Sequence, residues 1–166
     1  MSSGAPRGRL VAVEIDAGSM AAHGPAYIDQ ERAAAIRDLI SENLFAPEGR
    51  AGGGGGGEAF RLHLSVVDRK LVLQINDADD APVVSHILSL TPLRRVVKDY
   101  FLVCEAFYAA VPTATPSQIE AIDMGRRGMH DEGAEILRER LKGKVLIDLP
   151  TARRLFTLVS ALHWRG

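Results

Sequence analysis

From Phe60 to Val66 apolar and polar residues alternate, with Phe60, Leu62, Leu64 and Val66 on one side and Arg61, His63 and Ser65 on the other. A period of two marks a strand with one buried and one solvated face. The alternation returns at Leu71, Leu73 and Ile75, and a third strand-like stretch covers Val83–Leu90. Asp68-Arg69 and the polar run Asn76–Asp80 separate the three stretches. Both are turn chemistry, so an antiparallel meander is expected. Leu10–Ile15 reads as one more short strand. Between them the period lengthens. Ile28, Ala35, Ile36, Leu39 and Ile40 share one face of a helix expected over Tyr27–Leu44, with Asp29 and Glu31 in the first turn, where negative charge suits the helix dipole.

The second half is predicted to be mostly helical. Thr91-Pro92 supplies an N-cap and a first-turn proline. The helix they open carries Leu93, Val96, Val97, Tyr100, Phe101, Cys104, Phe107, Tyr108 and Val111 on one wide stripe, suited to pack across the sheet. Thr115-Pro116-Ser117-Gln118 repeats the start signal as a capping box. That helix is predicted to stop at Gly125-Arg126-Arg127-Gly128, with another running from Asp131 to Lys142 and ended by Gly143. Lys144–Leu149 reads as a strand. Pro150-Thr151 opens a last helix carrying Leu155, Phe156, Val159 and Leu162. Strands and helices mix without regular βαβ alternation, which predicts an α+β class: a single domain with a small antiparallel meander sheet packed by amphipathic helices. Residues 1–9 are expected to be a flexible N-terminus and residues 10–166 the domain, with Gly24-Pro25 in a loop and a Gly-rich loop at 46–58. The run Gly52–Gly57 has no Lys-Ser/Thr after it, so it is not a phosphate-cradling loop.

Composition narrows the function. The chain has 166 residues, 20 Lys+Arg, 21 Asp+Glu and a net charge of −1, which argues against a polyanion binder working by bulk charge. One cysteine forbids a disulfide framework or a multi-cysteine zinc site, and the five histidines show no ligand spacing. No metal and no cofactor are expected. No apolar run is long enough for a bilayer, and the N-terminus lacks an apolar signal core, so a cytoplasmic location without membrane attachment is expected.

The near-zero charge is an average. Residues 1–90 carry 8 basic and 12 acidic groups, residues 91–166 carry 12 and 9. Six arginines form three adjacent pairs, Arg94-Arg95, Arg126-Arg127 and Arg153-Arg154. Two pairs are placed at helix starts, where cations oppose the dipole but backbone N–H groups already favour an anion. All six are therefore candidate ligand-binding residues for a phosphate, a carboxylate or an acidic side chain. The competing reading is internal pairing, Arg95 with Asp99 and Arg153 with Asp148 or a distant carboxylate.

The stretch Asp123–Glu132 is the densest polar segment. An enzyme reading makes Asp123 or His130 a general acid/base, with Arg126 and Arg127 clamping an anionic substrate. The competing reading is a hydrated turn at a helix–helix junction. A DNA-reading helix-turn-helix is disfavoured by Asp131, Glu132 and Glu135 at the start of its second helix. RNA binding is disfavoured because Trp164 is the one candidate aromatic beside the basic residues. Cys104 lies on the apolar stripe and is expected to be buried and inert. His86 is expected to be a satisfied core histidine, and Asn76–Asp80 a solvated turn without the glycine and distal glutamate of a calcium loop. Leu102 is expected on the exposed side of its helix.

Ser89–Phe101, with its Thr-Pro-Leu-Arg-Arg core, Thr115–Gly128, Thr151–Val159 and the ending Leu162-His-Trp-Arg-Gly166 resemble one bacterial family, uncharacterised protein family 0262, found mainly in alphaproteobacteria. The resemblance is specific over residues 89–166 and looser before them, the glycine run being an insertion private to this chain. It implies a bacterial cytosolic protein and carries no activity, cofactor or catalytic residue. The expected function is a non-enzymatic binding or regulatory module, its arginine-rich C-terminal surface docking a protein partner or a phosphate-bearing small molecule. The alternative is a small enzyme acting through Asp123, Arg126, Arg127 and His130.

Overall fold

The computed structural model describes residues 8–16, 26–48 and 58–163. The glycine run, Gly24-Pro25 and Trp164 lie outside the described residues. The meander forms as its alternation requires: β3 (Glu58–Val67), β4 (Lys70–Asp77) and β5 (Pro82–Ser89) pair antiparallel in sequence order. Its first turn uses positive φ at both Asp68 and Arg69, at 51° and 62°, the geometry that matches the right-handed twist of a two-residue hairpin. In the second turn Asp77 Oδ1 accepts the backbone N–H groups of Asp79 and Ala81, so this segment is the Asx-type turn its composition suggests.

The sheet is not purely antiparallel. β1 (Gly8–Ile15) adds beside β3 in parallel, giving the order β1-β3-β4-β5, with a bulge between Leu10 and Ala12. A parallel pair needs a crossover, and α1 (Ala26–Ser41) lies in that connection. Gly8 and Arg9, expected in a flexible tail, already belong to β1. The helix ends three residues before Leu44 because Asn43 has another task. Its Oδ1 accepts the Leu10 N–H at 2.7 Å, and its Nδ2 donates to the carbonyls of Leu10 and Leu39 at 3.0 and 2.7 Å. One side chain thus stands in for a missing strand beside the bulge.

Two short strands, β2 (Phe45–Pro47) and β6 (Val145–Ile147), form a separate antiparallel pair. The sequence reading placed Ala46 and Pro47 in a loop, since three residues are too few to show a period.

A 3₁₀ turn at Thr91–Leu93 leads into α2 (Arg94–Ala110), so Thr91 opens the helix without capping it, and the side chain of the preceding Leu90 makes no cap bond. Thr115 and Gln118 do form the reciprocal capping box, at the start of α3. The largest departure follows. α3 is one unbroken helix, Pro116–Leu141, and there is no junction at Gly125–Gly128. Both glycines sit on its open surface, where a Cβ would meet nothing within 4 Å. They weaken the helix without ending it. Gly143, at φ +78°, is the left-handed residue that turns the chain out of it. α4 (Leu149–His163) closes the fold, its first turn capped by Asp148, whose Oδ1 accepts the Thr151 N–H.

The helices cover the apolar sheet face. Leu62, Leu64, Leu71, Leu73 and Ile75 on the sheet are buried with Leu39, Val96, Val97, Leu137, Phe156 and Val159 from all four helices. α4 packs against α1 on one side and α3 on the other, and α3 also packs against α2. The fold is α+β, one domain. His86 is half-buried on the core side of β5 opposite Leu73, with Lys144 near it, and burial and that cation lower its pKa. Cys104 is fully buried, with its thiol pushed up to about 12 chiefly by burial and by the Glu31 charge. Leu102 is exposed. Among the described residues no helix is long and apolar enough to cross a membrane, and no group of three or more His, Cys, Asp or Glu is placed to hold a metal ion.

Candidate functional site

The continuity of α3 assembles the site. With no break, Asp123, Arg126, Arg127, His130 and Asp131 follow at spacings of three, four, seven and eight residues and share one helix face. α2 offers Tyr100 and α4 offers Arg153 toward the same side. Together Tyr100, Arg126, Arg127, His130, Asp131 and Arg153 line a cleft of about 550 Å³. A smaller pocket of about 220 Å³ adjoins it. Tyr100 and His130 line both, and Glu31, Ala34, Ala35, Asp38, Arg154 and Thr157 complete the smaller one.

Each cleft arginine is held at one edge. Arg126 donates from Nε and Nη2 to Asp123 Oδ1 at 3.0 and 2.6 Å, and its guanidinium lies 4.1 Å above the Phe107 ring. Only its Nη1 is loosely engaged, 3.5 Å from Glu31 Oε1. Arg127 Nη2 meets Asp123 Oδ2 at 2.9 Å, and Arg153 Nε meets Asp131 Oδ1 at 2.7 Å. The hydrogen bond from Arg126, with the charges of both arginines, holds the Asp123 carboxyl below the usual carboxylate range.

Behind this layer lies a partly buried polar cluster. Glu31 accepts the Tyr100 hydroxyl on Oε2 and the Tyr108 hydroxyl on Oε1, each at 3.3 Å. Burial raises its pKa, against the pull of Arg126 and the two tyrosines. Tyr100 and Tyr108 are raised as well, by burial first and then by the Glu31 charge. His130 packs against Tyr100 and Phe156, with ring centroids 5.4 Å away in both cases. Its Nε2 lies 2.7 Å from Thr157 Oγ1, and burial lowers its pKa to about 4. At neutral pH it is an uncharged imidazole.

The six arginines are divided by the fold. Arg126, Arg127 and Arg153 converge on the cleft. Arg154 lines the smaller pocket and donates to the Glu42 carbonyl at 2.9 Å. Arg94 and Arg95 stand exposed at the start of α2, away from both cavities, with Arg95 Nε 3.9 Å from Asp99. The Arg94 N–H donates to the Thr91 carbonyl, and Asp148 takes the N–H of Thr151. Internal pairing of Arg95 with Asp99 is as the sequence suggests, and Arg153 takes the distant carboxylate, Asp131, rather than Asp148.

Asp123 is engaged by both arginines and is not among the cleft-lining residues. The sequence reading missed Tyr100, which it counted as core, and Glu31, which it counted as a dipole partner. Tyr100, Cys104 and Tyr108 recur at four-residue spacing, so a polar edge to the apolar stripe was present in the pattern.

An α+β protein with an arginine-lined cleft among its helices is thus defined. The family model described as Uncharacterised protein family (UPF0262) matches residues 7–165, and the chain belongs to that family. It is 58% identical over 160 residues to a UPF0262 protein of Nitrobacter hamburgensis, covering 96% of this chain and 94% of that one. It is 57% identical to one from Nitrobacter winogradskyi, covering 96% and 92%, and 58% identical to one from Rhodopseudomonas palustris strain TIE-1, covering 95% and 93%. No solved structure matches the chain.

Proposed function

We propose that the protein is a binding module for a small ligand bearing a phosphate or carboxylate group, taken up by Arg126, Arg127 and Arg153. What supports the reading is the convergence of three guanidinium groups from two helices on one concave cleft, each anchored at one edge by a carboxylate. An arginine has five N–H donors in a fixed fork, so anchoring one edge leaves the others available and already oriented. Stacking on Phe107 removes further freedom from Arg126. Asp123 and Asp131 offset part of the positive charge, which favours a ligand recognised by donor geometry over one drawn by charge alone. A cleft of this volume suits a small molecule better than a flat protein surface.

Thermal denaturation with and without millimolar phosphate or pyrophosphate tests the reading. Ligand should raise the Tm of the wild-type chain and of Arg94→Ala/Arg95→Ala, and should leave that of Arg126→Ala/Arg127→Ala unchanged. A shift that survives in the last variant would refute it. An enzyme acting on an anionic substrate is the second reading, favoured by the neutral His130 beside Arg126 and Arg127. On that reading His130→Asn abolishes turnover while anion binding persists.

A further inference from the structure

The cleft and the smaller pocket carry opposite chemistry on either side of shared walls. Arg126, Arg127 and Arg153 line the cleft; Glu31 and Asp38, from α1, line the pocket opposite Arg154. Tyr100 and His130 belong to both, so the two spaces meet at their rings. The Arg126–Glu31 pair spans that meeting point with a cation on one side and a carboxylate on the other.

The Glu31 carboxylate is loosely satisfied for a half-buried acid. Its three contacts, at 3.3, 3.3 and 3.5 Å, all exceed the roughly 2.7–2.9 Å of a good charge-assisted bond. Two of the donors are neutral hydroxyls, and the one cation is committed through its other edge to Asp123. Arg154, the cation on the pocket wall, is drawn toward the Glu42 carbonyl. Glu31 therefore has acceptor capacity that the chain's own donors leave partly unused. The Tyr100 ring and the uncharged His130 ring share the wall with Ala34, Ala35, Asp38 and Thr157, and aromatic faces beside carboxylates are a surface that an ammonium group accepts and a second anion does not.

We propose that the ligand of this site is a zwitterion of short reach, an anionic group for the cleft arginines joined through a few atoms to a primary amine that seats against Glu31. The inference rests on the anion-binding reading and adds the second half of the ligand. On binding, the ligand's anion takes Arg126 Nη1 and its ammonium takes Glu31, so one weak internal ion pair gives way to two contacts.

Isothermal titration of the full chain with inorganic phosphate, ethyl phosphate and phosphoethanolamine tests it. Phosphoethanolamine is expected to bind at least about tenfold more tightly than ethyl phosphate, the gain of one charged hydrogen bond. In Glu31→Gln that ratio should fall to near one while ethyl phosphate affinity is kept. Asp38→Asn, at an exposed position, should narrow the ratio in the same direction. Equal binding of the two phosphates by the wild-type chain would overturn the zwitterion and leave the anion site standing. Equal weakening of both by Glu31→Gln would also overturn it, because Glu31 would then act only by positioning Arg126. Failure of all three probes to bind would remove the anion site and this inference with it.

Discussion

Single residues in this protein have effects whose sign depends on a few ångströms of surroundings. Gly133 lies where α3 crosses α4, and a Cβ there would press into the Phe156 ring, which is fully buried. Gly125 and Gly128 lie on the same helix with open space around them. Gly133→Ala is therefore expected to destabilise by about 1–3 kcal/mol, as overpacking does. Gly125→Ala and Gly128→Ala should each stabilise by roughly 0.5–1 kcal/mol through helix propensity. Urea denaturation of the three variants checks both signs. His130 gives a pH dependence. Its pKa of about 4 lies below the ordinary 6.5, so the unfolded chain binds the extra proton first as pH falls. Its contribution is complete above pH 6.5 and declines toward pH 4, by up to about 3 kcal/mol. Glu31, with a raised pKa, works the other way: the folded chain gains a proton, and stability, as pH falls toward the ordinary carboxylate range. His130→Asn should flatten the acid limb of a plot of stability against pH, and Glu31→Gln should steepen it. A wild-type plot unchanged by both would contradict these assignments.

At the scale of elements, the long regular segments were legible and the short or interrupted ones were not. The meander could be read because alternation over seven residues, as in Phe60–Val66, has no helical counterpart. The α3 capping box could be read because it is local chemistry. The unity of α3 could not. Two glycines three residues apart carry a propensity penalty that argues for a break, and packing of Ala134, Leu137 and Leu141 against the core overrides it. The sequence grouped Asp123, Arg126, Arg127 and His130 at a turn, whereas they share one face because the helix is continuous. Asn43 was invisible for another reason: its partner Leu10, 33 residues away, is set by tertiary structure. Asn43→Ala leaves the Leu10 N–H and carbonyl unpaired beside the bulge, at a cost of about 1–3 kcal/mol for each group left dry. The loss should appear as a lower denaturation midpoint. A midpoint equal to that of the wild-type chain would mean that water replaces the amide there.

At the scale of the whole molecule, the helices divide the work. α4 is the buried strut between α1 and α3, and the cavities open where α2, α3 and α1 meet its polar residues Arg153, Arg154 and Thr157. The acidic first half and basic second half of the chain thus meet at one place, where Glu31 faces Arg126. The parallel pairing of β1 with β3 has a further consequence, for the order of assembly. β3, β4 and β5 are joined by two tight turns, so their contacts close loops of a few residues. β1 meets β3 only after some fifty residues have been gathered in, since Gly8 sits opposite Glu58. Contacts of such high sequence separation are slow to form. In a refolding experiment with pulsed hydrogen exchange, the amides of β3 and β4 should gain protection before those of β1. A chain arrested at that stage would present the outer edge of β3 as a bare row of donors and acceptors, the surface by which a half-folded protein meets its neighbours and aggregates.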